Sequence, residues 1–192
     1  MGAPSYLALA PEIDEFRRQF EQLSADADAL TASLRNDQFV WQPTAEAWSV
    51  ALCLEHLNAT ARVYLPQLDE GIAAAIRRGM YAEGPFTYNW IGRFMRRVVE
   101  PPPRFRFKAP RAFQPLERTR HEIMAAFGAY QVQYIDRLRQ ANGLDLARAR
   151  VASPLAAWVR MSLGSAFALM VAHERRHLWQ ARQVIAREGF PN

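Results

Sequence analysis

Cysteine and lysine are almost missing from this chain of 192 residues. The single cysteine, Cys53, excludes an internal disulfide and suits a reducing compartment such as the cytoplasm. The single lysine, Lys108, leaves arginine to carry the positive charge, which exceeds the negative by 5. Such an arginine excess in an alanine-rich chain fits a GC-rich, bacterial coding bias, and by itself it is weak ground for a phosphate-binding role. No apolar run approaches the roughly 18 residues that span a bilayer. The longest, LGSAFALMVA over 163–172, ends in His-Glu-Arg-Arg-His, so no membrane association is expected. The opening residues MGAPSYLALAPEIDEF have no basic stretch and soon turn acidic, so they are not read as a signal peptide. Strand-like alternation is scarce, and there is no internal repeat.

What remains is helix signal in one domain over 1–192. Pro11 opens a helix over about 11–35, with Ile13, Phe16, Phe20, Leu23, Ala27, Leu30 and Leu34 as its stripe. Residues 36–49 read as a loop that ends in the N-cap Ser49. A second helix runs over about 50–78, with Leu52, His56, Ala59 and Val63 on one face and Pro66 as a kink. Segment 79–115 is a long insertion. It holds a short helix over 87–100 and the extended, Pro-rich PPPRFRFKAPRAFQP. The third helix covers about 115–141, with Gly143 closing it. An irregular connection leads to Ser162, which caps a fourth helix over about 163–188. The pattern predicts an all-α four-helix bundle with long irregular connections between helices two and three and between three and four.

The chain has 4 histidines, and three of them fall on inward faces. His173 and His177 stand four apart on one helix face, a spacing at which two imidazoles can bind one divalent ion. His56 lies on the inward face of helix two. The run HERRH also matches H-E-x-x-H of zinc proteases. Those enzymes need a third ligand, usually downstream. Here Leu178, Trp179 and Gln180 follow where one such group has a glycine and then a histidine. Glu188 is the one acid left before Asn192. No edge strand is evident to hold a peptide. The protease reading therefore fails, and His56 is the candidate third ligand.

WSVALCLEHLNAT over 48–60, FKAPRAFQP over 107–115, SPLAAWVRMSLG over 153–164 and AHERRHLWQ over 172–180 resemble the DinB-like (DinB/YfiT-like) superfamily. The resemblance follows the same order along almost the whole chain. It implies a four-helix bundle with a divalent metal, nickel or zinc foremost, on His56, His173 and His177. It also implies a metal-dependent hydrolase, or a transferase or isomerase that uses a low-molecular-weight thiol, acting on a small-molecule substrate. Homodimers are common in that superfamily. Three neutral histidines leave an ion dipositive and open, so that a bound water or thiol loses its proton more easily.

Several neighbours carry weaker expectations. Glu174, a quarter-turn from the ligand face, reads as an exposed acid beside Arg175, or else as a group that orients a ligand or a metal-bound water. Gln180 lies one turn after His177 and is placed to orient a ligand or a bound water. Cys53 reads as a buried structural thiol rather than a fourth ligand. His121 reads as a surface histidine, and Trp48 and Trp179 as core or staple residues. The competing functional reading is a non-catalytic binding or stress-response module. It would use Arg96, Arg97, Arg104 and Arg106 on a protein or nucleic-acid partner, although no nucleic-acid-binding motif accompanies them.

Overall fold

The computed structural model describes residues 8–88, 100–101, 110–154 and 156–192. The short helix expected over 87–100 falls almost wholly outside them, as do Arg96, Arg97, Arg104 and Arg106. Helix α1, Pro11–Ala32, starts with proline in its first turn and buries Ile13, Phe16, Phe20, Leu23 and Ala27. It stops short of the expected end. There the Arg120 guanidinium donates to the carbonyls of Thr31 and Leu34, which satisfies acceptors that the helix leaves open.

Within the segment expected as a loop, Asn36–Val40 forms a short helix, α2. Its one buried residue, Phe39, lies under Arg120, whose guanidinium carbon is 5.3 Å from the ring centre. Five residues are too few for a helical period to show in the sequence. Helix α3, Val50–Arg77, is capped by Ser49, whose side chain accepts from the Leu52 amide at 3.1 Å. Helix α4, Arg120–Gln140, begins later than expected. Thr119 and Glu122 form a reciprocal capping box there, and it starts the helix more firmly than the polar run before it.

The connection after α4 is not irregular throughout, as expected, but forms a hairpin. Strand β1, Arg150–Ser153, pairs antiparallel with β2, Ala156–Ser162, with a bulge between Ala152 and Ser153. Strands this short, in an alanine- and arginine-rich stretch, show almost no period-two signal. Ser162 then caps α5, Leu163–Ile185. Helix α1 packs on α4 and α5, and α3 packs on the same two, so α1 faces α3 diagonally and α4 faces α5 diagonally. Phe20 of α1 stacks on Tyr134 of α4, ring centres 4.8 Å apart. The expected four-helix bundle is what the chain builds, with α3 and α5 sharing a long seam.

β1 lies against α3 at Gly71. A Cβ there would stand 2.9 Å from the Arg150 carbonyl oxygen and 2.9 Å from Val151 Cγ2. Gly71→Ala should therefore destabilise the fold by roughly 1–3 kcal/mol, because backbone must move. Gly128→Ala in α4, where a Cβ meets nothing within 4 Å, should stabilise by about 0.5–1 kcal/mol. Urea denaturation of the two variants checks both signs.

Candidate metal centre

The seam between α3 and α5 holds three imidazoles. His56 comes from the second turn of α3, and His173 and His177 come from successive turns of α5. Their ring centres are 4.5–5.1 Å apart, and one candidate ligand nitrogen from each lies within 4.8 Å of the others. His56 and His177 are buried and His173 is half-buried. His121, the fourth, is exposed at the start of α4 in a shallow depression with Asn36, Thr119 and Met124. Cys53 is fully buried and not part of the cluster, and burial pushes its thiol pKa far up, so it stays protonated.

His56 has a defined tautomer. Its Nδ1 lies 2.6 Å from the carbonyl oxygen of Phe113, in a 3₁₀ turn over Arg111–Phe113. A carbonyl only accepts, so Nδ1 carries the proton and Nε2 of the neutral ring is bare. That bare Nε2 lies 3.1 Å from Nε2 of His173. With ion-to-nitrogen distances of about 2.0–2.1 Å, two nitrogens in cis positions sit about 3.0–3.4 Å apart. The spacing therefore fits one shared ion. Nδ1 of His177 is buried with no hydrogen-bond partner. Thr60, one turn after His56, donates to the His56 carbonyl at 2.9 Å, and its oxygen lies 3.4 Å from Nε2 of His173.

Burial is the main cause that keeps all three rings neutral. It lowers the His56 pKa, lowers that of His173 to about 3, and lowers that of His177 well below its usual range. The charge of Arg176 lowers all three further, while the Gln180 side chain raises that of His177 slightly. Trp48 forms one wall, its ring 4.8 Å from that of His56 and 5.6 Å from that of His177. It was expected in the core but is half-buried against the site. Its place just before the Ser49 cap, two turns ahead of His56, was the signal to weigh.

Glu174 was expected to be exposed. It is 4% exposed, and the Gln131 side-chain amide of α4 donates to it at 3.2 Å. It lies about 60° round the helix from His177, and this turns it toward the diagonal partner α4. Desolvation raises its pKa to about 8, so it is a neutral acid at pH 7. Glu55, beside His56, is also buried. It accepts from Asn58 at 2.9 Å and pairs with Arg62 at 2.8 Å. No carboxylate joins the three histidines among the described residues.

A family model described as the DinB superfamily matches residues 19–181. No curated protein and no solved structure matches the chain.

The pKa directions set the sign of the pH response. The folded histidine values lie below the ordinary 6.5, so the unfolded chain takes up protons first as pH falls. Metal-free protein should lose stability below about pH 6.5, by up to ~1.4 kcal/mol per pH unit for each histidine. Glu174 acts oppositely: its contribution is full below 4.5 and is lost as pH rises to about 8. Glu174→Gln should therefore keep the acid-side loss and remove the decline between about pH 6.5 and 8. Denaturation midpoints across this pH range check both limbs, and no acid-side loss would mean that the rings are charged in the fold.

Proposed function

As the chain belongs to the DinB superfamily, we propose that it is a metal-dependent enzyme acting on a small molecule, with a divalent ion on His56, His173 and His177. The observation that carries this reading is the convergence of three neutral imidazoles from two helices. Imidazole suits zinc and nickel among the common divalent ions. The Phe113 carbonyl supports it further, since metal-binding histidines commonly donate their second nitrogen to such a group. A dipositive ion with three neutral ligands would bring a bound water or thiol closer to its ionised form at neutral pH.

Of hydrolysis and thiol transfer, the surroundings favour thiol transfer. Water in a hydrolase is commonly activated by a general base. The two acids beside ligands are committed elsewhere, Glu174 to Gln131 and Glu55 to Arg62 and Asn58. A thiol starts from a pKa near 8.5 and needs less assistance than water. The residues around the site then bind and orient: Trp48 offers an apolar wall, and Gln180 offers a polar group one turn from His177. Buried, unpaired Cys53 is consistent with work in a reducing compartment, the cytoplasm. No described helix is long and apolar enough to cross a membrane. A homodimer is part of the same proposal by family resemblance alone.

Protein purified without a metal-affinity tag should carry about one divalent ion per chain by elemental analysis. His56→Ala and His177→Ala should each lose most of it while keeping helical circular dichroism. A protein that takes up neither nickel nor zinc on reconstitution would sink the reading, as would His56→Ala binding metal like the wild type. Thiols of low molecular weight, screened with electrophilic acceptors, should give turnover that metal removal abolishes.

A further inference from the structure

We propose that Thr60 is a fourth protein ligand of the metal centre, binding the ion through its hydroxyl oxygen. The inference rests on the metal-centre reading and goes beyond its three histidines. Thr60 stands one turn after His56 on α3, as His177 stands one turn after His173 on α5. At that spacing the two side chains of each pair share a helix face. The seam thus sets a pair of donors from one helix against a pair from the other. Thr60 is 4% exposed, so its hydroxyl has to be satisfied inside the protein.

A hydroxyl has one proton and two lone pairs. The Thr60 proton goes to the His56 carbonyl at 2.9 Å. The oxygen keeps its lone pairs and lies 3.4 Å from Nε2 of His173. Once Nε2 of His173 carries the ion, both atoms present lone pairs, and no hydrogen bond joins them. A shared ion accounts for the contact. A nitrogen and an oxygen each about 2.0–2.2 Å from one tetrahedral ion lie about 3.3–3.6 Å apart. The other donors leave this place to Thr60. No carboxylate or thiol joins the three histidines among the described residues. Residues 1–7, 89–99, 102–109 and 155 contain no aspartate, glutamate, histidine or cysteine, so none of these ligands comes from outside them. A neutral alcohol is a weaker donor than imidazole or thiolate. Thr60 therefore holds the fourth place loosely, and a thiol displaces it.

Cobalt-substituted protein without added thiol tests this. Thr60→Val keeps the shape and removes the oxygen. It should bind cobalt more weakly, on the order of ten-fold, and alter the visible ligand-field bands. Thr60→Ser keeps the oxygen and should retain wild-type affinity and bands. Thr60→Cys should show a sulfur-to-cobalt absorption band that wild type, with only buried Cys53, does not give. Should Thr60→Val fail to fold by circular dichroism, Thr60→Cys decides alone. Thr60→Val with wild-type affinity and bands, or Thr60→Cys without the sulfur band, overturns the inference and leaves the three histidines in place. A wild type that takes up no cobalt overturns the metal-centre reading, and the role of Thr60 falls with it.

Discussion

The hydrogen bond from Nδ1 of His56 to the Phe113 carbonyl is the constraint on which the site depends. It joins a residue in the second turn of α3 to a short turn at the far end of a long insertion. By holding the proton on Nδ1 it leaves Nε2 bare and aims it at His173. A flipped ring would place a donor in the centre of the cluster and leave a buried carbonyl without a partner, at a cost of roughly 1–3 kcal/mol. One bond therefore sets the tautomer and the ring orientation, and it helps tie the Arg111–Phe113 turn to α3. Trp48 lies against the His56 ring and the His177 ring and limits both.

The same seam sorts its charges. The acids adjacent in sequence to the ligands find partners away from the imidazoles, Glu55 on its own helix and Glu174 on another. Glu55 bridges toward Arg62 and Asn58, and Asn58 in turn donates to the Ile123 carbonyl of α4 at 3.0 Å. Glu174 spans the bundle's diagonal to Gln131. These contacts tie α3 and α5 to α4 and at the same time withdraw negative charge from the histidines. The result is a cluster of three neutral imidazoles with no carboxylate among them in the described residues, suited to a divalent cation.

The H-E-x-x-H run gains a different meaning in this setting. In a protease the glutamate would stand over the metal as a base. Here its flank of the helix, about 60° round from His177, packs toward α4, where Gln131 meets it and desolvation keeps it neutral. Gln180, outside that run, is the group that reaches His177. The local spacing of two ligands is the same in both settings, and packing of the helix decides what the residue between them does.

The periodicity by itself determined the four long helices, because each buries a stripe wide enough to recur at three and four residues over several turns. It likewise placed His56, His173 and His177 on inward faces, since facing is a local property of a helix. It did not determine α2 or the β1–β2 hairpin, whose short lengths give a period no room to repeat. Nor did it determine the tautomer of His56, the burial of Glu174 or the place of Trp48 against two imidazoles. Each of those rests on a group distant in sequence: the Phe113 carbonyl, the Gln131 amide, the paired rings themselves. Only tertiary packing brought these together, because burial and hydrogen-bond partners belong to the space between helices and not to any one of them.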